Sequence, residues 1–267
     1  RIFCPAKYFH QFSADMLLLS LVVFFPVQQV TTRSEEKFIM HSGSVIPPHG
    51  QRANGPRFRD DDFYIQSAEW EAQRLIENCN LEHRKQVVDV GCGQGRLAIG
   101  LKRILPTVRY LGIDISRTSI GWCKQWLQSD NFMFMHLDVQ SKRYNPQGNE
   151  SISAQSFSNI TSHSAHVIYL FSVFSHMLDK DMLLYLAQFR RILRRDGMIF
   201  FTAFVTESQD VPFRVHPPTD WLHMAIYDRA YLLQLLETSG FRIVRMDHAT
   251  EIDGQSAFYV EKAGKRA

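Results

Sequence analysis

The stretch Val87-Val88-Asp89-Val90-Gly91-Cys92-Gly93-Gln94-Gly95 decides the fold. A β-branched run broken by one acid reads as a short buried strand. Glycines at alternate positions then allow a sharp turn and bring a ligand close to the main chain. Leu97, Ile99, Leu101 and Ile104 follow, so the turn opens a helix whose first amides are free to face an anion or a polar ligand. The loop is not a P-loop, because no Gly-Lys-Ser/Thr follows it. It is not the G-x-G-x-x-G dinucleotide fingerprint either, since Arg96 stands where the last glycine belongs.

Outward from this turn, strands and helices alternate. The pattern predicts strands at 86–90, 110–113, 132–137, 167–170 and 198–204, with helices at 116–127 and 181–193. Met182, Leu186, Phe189 and Leu193 share one face of the second of these helices, and Arg195-Asp196-Gly197 reads as its stop. A further helix starts at Arg229, and residues 241–244 and 257–260 read as the last two strands, with Asp253-Gly254-Gln255 as the turn before the final one. Such alternation implies an α/β fold, a parallel sheet with helices on both faces. Residues 141–165 are polar, Ser-rich and aperiodic, and read as a surface insertion whose shortening should leave ligand affinity within a few-fold; its two sequons, at Asn149 and Asn159, read as chance matches.

Two acids sit at the ends of the next two strands. Asp114 is placed to accept both hydroxyls of a ribose, and an asparagine there would keep one acceptor. Asp138 is placed to accept from the exocyclic amine of an adenine. Either acid alone also fits a helix cap or a solvated surface. Three such features at successive strand ends fit those explanations poorly.

With these motifs the chain resembles the class I S-adenosylmethionine-dependent methyltransferases over residues 64–261. The resemblance implies a Rossmann-like three-layer sandwich, with a mostly parallel seven-stranded sheet and an antiparallel last strand. It implies S-adenosyl-L-methionine as cofactor and S-adenosyl-L-homocysteine as product. Gly91, Gly93 and Gly95 would line the methionine portion, with Asp89 near its amino group. Asp114 would hold the ribose, Ile115 would pack on the adenine, and Asp138 with Val139 would read the adenine edge. The segment from Phe171 to His176 would back the sulfonium. The family's acid near the start of the fourth strand is replaced here by Ala165-His166.

Methyl transfer from a sulfonium requires alignment and exclusion of water, and it demands no metal. The eleven histidines show no ligand spacing. His176 is the best-placed candidate base for a hydroxyl acceptor, although a helix-start histidine bonded to nearby backbone reads equally well. Residues 213–227 carry Phe213, His216, Pro217, Pro218, Trp221, His223 and Tyr227, which suits a partly apolar acceptor pocket or lid. DNA amino-methyltransferases carry N/D-P-P-Y/F where this chain has Leu170-Phe171-Ser172-Val173. No basic stripe with interleaved aromatics points to RNA. The expectation is therefore an oxygen or nitrogen of a small molecule, such as a sugar or another metabolite. The rivals are an NAD(P)-dependent oxidoreductase, against which Arg96 argues, and a non-catalytic cofactor-binding scaffold.

Composition sets the remaining bounds. The 267 residues carry 30 Lys+Arg against 27 Asp+Glu, a net charge of +3, which excludes neither solubility nor activity but argues against a dedicated nucleic-acid binder. Hydrophobic residues at 45% supply a core without staples. Cys4, Cys79, Cys92 and Cys123 form no C-x-x-C pair, so a reducing, cytoplasmic setting is expected. Residues 1–56 read as an N-terminal arm, with 1–39 outside the core and Met40 as the natural start, and 57–267 as the methyltransferase domain. The apolar run at 16–27 falls short of the roughly 20 residues of a membrane span. Asp60-Asp61-Asp62 reads as a helix start with Asp62 as its cap.

Overall fold

The computed structural model describes residues 37–52, 55–153, 156–207, 210–216, 224–251 and 253–264. The expectations placed on 1–36 and on Pro217, Pro218, Trp221 and His223 lie outside the described residues.

The chain opens with a hairpin of β1 (Ile39–His41) and β2 (Ser44–Ile46). Residues 1–56 read from sequence as an arm, and within them residues 39–46 form this hairpin. Ser42 and Gly43 take positive φ values of 45° and 75° and close the turn, while Ile46 is fully buried. Arg52 pins the following stretch from inside, donating to the carbonyls of Pro47 at 2.8 Å and Phe58 at 2.9 Å and to Asp61 at 2.6 Å.

Helix α1 (Asp61–Asn78) begins two residues earlier than a cap at Asp62 implies. A 3-10 turn over Pro56–Arg59 delivers the chain so that Asp60 is the cap, its carboxylate accepting from the Phe63 amide at 2.7 Å. Asp62, the expected cap, instead meets His41, and Asp61 meets Arg52 and His49.

The alternation then runs through β3 (Gln86–Val90), α2 (Arg96–Ile104), β4 (Arg109–Asp114), α3 (Arg117–Trp126) and β5 (Phe132–His136). After the insertion come β6 (Ala165–Leu170), α4 (Asp179–Ile192) and β7 (Leu193–Thr206). The chain continues with β8 (Phe213–His216), β9 (Met224–Asp228), α5 (Arg229–Thr238), β10 (Phe241–Asp247) and β11 (Ser256–Lys262). The stop of α4 lies at Ile192 rather than at Arg195-Asp196-Gly197. The chain is already extended from Leu193, and the extra residues are absorbed by a register shift opposite Ala165 and Val167. Gly197 belongs to that irregularity, since a Cβ there would come within 2.9 Å of the His166 carbonyl oxygen.

The sheet order is β10-β11-β7-β6-β3-β4-β5, with β11 antiparallel to both neighbours and the β3 to β6 core parallel. This is the expected α/β, Rossmann-like arrangement of seven strands. The short pair β8 and β9 is an addition, joined to the far end of β7. Two-residue periodicity divides the strands between two cores. Val87, Tyr169, Phe200 and Tyr259 pack under α1, α2 and α3, whereas Val88, Ile168, Phe201 and Phe258 pack under α4 and α5. His166, standing where the family has an acid, accepts from the Gln86 amide at 3.0 Å at the end of the sheet away from the strand carboxyl ends.

Helices α1 and α2 approach so closely that a Cβ on Gly100 would overlap the carbonyl of Ala68. Backbone cannot yield as a side chain can, so Gly100→Ala should cost about 3 kcal/mol by forcing the helices apart. Gly121, exposed on α3 with open space around it, provides the contrast. Gly121→Ala should stabilise by about 0.5–1 kcal/mol through helix propensity. Denaturant titration of both variants checks the pair, and equal effects would contradict this account of helix contact.

Candidate active site

The strand carboxyl ends surround a cleft of about 1030 Å³. Its floor is the turn between β3 and α2. Gly91 and Gly93 take φ values of 79° and 52°, a region that side-chain-bearing residues rarely occupy. A Cβ on Gly91 would overlap the γ2 methyl of Val173, so the glycine is also required by the neighbour across the cleft. Gly95, with φ 74°, does the turning into α2 and packs toward Leu127 and Cys123 rather than lining the cleft.

Asp114, at the end of β4, clamps this floor. Its Oδ2 accepts from the Gly93 amide and its Oδ1 from the Ser116 amide, both at 2.7 Å. Burial pushes its carboxyl upward from the ordinary value, opposed by these same backbone donors. A carboxylate has about four acceptor positions, so two remain for a ligand's hydroxyls. Ile115, Leu137 and Val139 supply apolar surface beside it.

Asp89 is 2% exposed and lines the opposite side of the floor. The Tyr110 hydroxyl donates to its Oδ2 at 2.5 Å. Burial pushes this carboxyl up to about 7, outweighing the Tyr110 hydrogen bond and the charge of Arg96. Arg96 itself is buried in the wall, donating to the Ser67 carbonyl at 3.2 Å, its guanidinium facing the rings of Phe58 and Phe171. Nearby, the Tyr169 hydroxyl donates to Glu71 at 2.9 Å. Asp89, Arg96 and Tyr169 thus bring polar groups to the cleft beside the glycine turn.

Most of the residues expected from sequence converge here: Asp89, Gly91, Gly93, Asp114, Ile115, Val139, Phe171 and His176 all line the cleft. Asp138 does not. Its carboxylate turns to the insertion, accepting from Asn149 at 2.9 Å and Asn145 at 3.3 Å, and these bonds hold it below its ordinary pKa. The insertion itself is not the peripheral loop expected. Glu150 and Gln140 pair back on Asp138 and Glu150, and Ser141, Lys142, Arg143 and Tyr144 form part of the cleft wall. Phe157 and Ile160 anchor its far end in the core beneath α4. His176 meets the edge of the Tyr144 ring, and Arg143 donates toward its Nδ1 at 3.5 Å. A guanidinium can only donate, so this nitrogen is the acceptor.

Sequence reading missed Tyr110 and Arg96 as supports of the site. The register carried the signal for the first: Val87 pairs with Tyr110 and Asp89 with Gly112, so Tyr110 stands on the same sheet face as Asp89, one step away. A buried acid needs such a donor. Among the described residues no group of His, Cys, Asp or Glu could hold a metal ion, and no helix is long and apolar enough to cross a membrane.

Comparison with known proteins adds the following. A family model described as a methyltransferase domain matches residues 65–246. An uncharacterized protein of Methanocaldococcus jannaschii is 42% identical over 66 residues, which is 25% of this chain and 30% of that protein. The chain therefore spans under a third of that relative's length in the match. Among solved structures, the chain is similar to a Burkholderia thailandensis 1,6-didemethyltoxoflavin-N1-methyltransferase with bound 1,6-didemethyltoxoflavin and S-adenosylhomocysteine. That match has TM-score 0.51 and 15% identity over 76% of this chain and 80% of the other. It is similar also to a SAM-dependent methyltransferase from Leishmania major, at TM-score 0.51 and 14% identity over 74% and 73% of the two chains. At these identities the solved structures show the shared fold.

The pKa of Asp89 carries a sign for stability. Between the ordinary value of 3.8 and about 7 the folded chain binds a proton that the unfolded chain releases. The contribution is therefore present at low pH and lost as pH rises through that window. Asp89→Asn removes the titration, so the stability of wild type relative to this variant should fall from about pH 4 to about pH 7 and then level off. Thermal melts of both proteins across the range test this, and a constant difference would show that Asp89 ionises freely.

Proposed function

The chain belongs to the methyltransferase-domain family, and from that premise we propose that it moves a methyl group from S-adenosyl-L-methionine to an oxygen or nitrogen of a small molecule. The observation that carries this reading is the coincidence in one cleft of two ligand-facing acids and a glycine cradle. The donor set fits the cofactor. Asp89, held near neutrality by burial, gains a counter-charge from an ammonium group, which favours its ionised form. Asp114 keeps two acceptor positions for ribose hydroxyls, and Ile115 and Val139 offer a slot for a flat adenine. When bound, the cofactor supplies a methyl group on a sulfonium with a neutral thioether as leaving group.

The remaining work falls to the chain's own residues. Phe171, Val173 and Tyr64 wall the cleft where the methyl group would face, and their apolar surface excludes water. The volume of about 1030 Å³ lies at the top of the roughly 300–1,000 Å³ usual for one drug-sized ligand, which supports room for the cofactor and a small acceptor together. His176 and Asp253 line the same cleft and offer polar contacts to an acceptor. The Arg143 contact to Nδ1 favours His176 as a positioning contact over the base role read from sequence. The 1,6-didemethyltoxoflavin bound by the Burkholderia enzyme supports a small-molecule acceptor.

Isothermal titration with S-adenosylhomocysteine tests the reading. Asp114→Ala should weaken binding by about 30- to 1,000-fold, the loss of two charge-assisted hydrogen bonds worth about 2–4 kcal/mol. The sequence suggested a milder effect for Asp114→Asn. Both oxygens accept backbone N–H groups here, so an amide NH₂ must face one donor with another, and Asn should be no milder than Ala. Tight binding of NADH without binding of S-adenosylhomocysteine would replace this reading with the oxidoreductase.

The insertion provides a second test. Its residues 141–144 line the cleft and its Asn145 and Asn149 hold Asp138, so excising 141–149 should lower S-adenosylhomocysteine affinity at least ten-fold. Affinity within a few-fold of wild type, measured on a variant with native circular dichroism, would return the loop to the peripheral role first expected.

A further inference from the structure

Gln255, at the entry to β11, is fully buried, and every polar atom of its side chain is engaged. Its Oε1 accepts from the Thr202 hydroxyl at 2.9 Å, and its Nε2 donates to the Ser172 hydroxyl at 2.9 Å and to Asp253 at 2.6 Å. The Thr202 hydroxyl in turn accepts from the Ser172 amide at 2.8 Å. Thr202 of β7 and Gln255, just before β11, therefore close a hydrogen-bonded ring with Ser172, in the segment after β6. The Ser172 hydroxyl also meets that of Ser175 at 3.0 Å, and Ser175 and Thr202 are fully buried like Gln255.

The ring holds something that would not hold itself. Ser172 has φ 58°, the left-handed region that an L residue with a side chain occupies only when its surroundings impose it. The residue lies between Phe171 and Val173, and all three line the cleft. Val173 presses its γ2 methyl against Gly91, so closely that no side chain could stand at that glycine. Release of Ser172 into an ordinary conformation would swing Val173 off the glycine turn and open the wall beside it.

We infer that Gln255 is a positioning residue for methyl transfer: through Thr202 and Ser172 it fixes Val173 against Gly91 and so sets the wall that the transferable methyl faces. This rests on the proposed seat of the cofactor at the glycine turn. Gln255 touches neither cofactor nor acceptor, and its effect reaches them through the backbone of Ser172.

The test uses the full chain and S-adenosylmethionine carrying a ¹³C label in its methyl group. The ¹³C resonance of the bound methyl reports its immediate surroundings, which a merely structural defect elsewhere would leave in place. Thr202→Val keeps the shape of the side chain but deletes the hydroxyl that takes the Ser172 amide and donates to Gln255, while Thr202→Ser keeps that hydroxyl. Gln255→Ala and Thr202→Val should shift or broaden the bound resonance and weaken binding about 3- to 10-fold, and Thr202→Ser should retain the wild-type resonance. A wild-type resonance in folded Thr202→Val overturns the inference even where Gln255→Ala fails to fold. Failure of the wild-type chain to bind labelled S-adenosylmethionine overturns the cofactor reading and this inference together, whereas binding with an unmoved resonance overturns the inference alone.

Discussion

One carboxylate joins two strand-to-helix turns. Asp114 takes the Gly93 amide on one oxygen and the Ser116 amide on the other, which ties the start of α2 to the start of α3. The glycine turn also gives the amides of Gly91 and Cys92 to the Ile113 carbonyl, at 2.7 and 3.0 Å. The floor of the cleft is therefore a backbone object, bonded to the strand beside it. Its glycines are free of side chains because the space is filled by Val173 on one side and must admit a ligand on the other. The sheet order places β3 and β4 side by side, and without that adjacency neither bond could form.

The floor carries an energetic cost. Asp89 and Asp114 are both buried and both pushed toward their neutral forms by burial. The chain answers each with donors that lie in the sheet or its turns: Tyr110 for Asp89, backbone amides for Asp114. Neither set saturates its acid. Both acids also line the cleft, where a ligand's ammonium and hydroxyls would meet them.

The fold and the floor of the cleft were legible in the sequence for the same reason: both depend on short-range pattern. Strand alternation, the glycine turn and the acids at strand ends each occupy a few consecutive residues. The errors arose where a decision depended on distant partners. Asp60, Asp61 and Asp62 are alike as helix starters, and Arg52, His41 and His49 settled which of them caps. Residues 141–165 lack periodicity and so read as surface, yet Asn145 and Asn149 find Asp138 and the backbone pairs back across it. Asp138 was read as facing the ligand because it ends a strand, but these amides claim its carboxylate first. Gly197 resembles a helix stop, while its actual constraint is the carbonyl of His166 on the neighbouring strand.

This division also explains why family membership identifies the donor more readily than the acceptor. The floor of the cleft is made by β3, β4 and the turns that follow them, elements adjacent in sequence as well as in space. The rest of the cleft draws on Tyr64 in α1, on the segment after β6, on Val215 in β8 and on Asp253 before β11. Its geometry is fixed by bonds such as that between Gln255 and Ser172, which lie 83 residues apart. Each contributor sits on a different connection, and connections tolerate change that strands and their turns do not. Acceptor choice can therefore diverge by alteration of one loop at a time while Asp114 and the glycine turn stay fixed, so one floor can serve many acceptors.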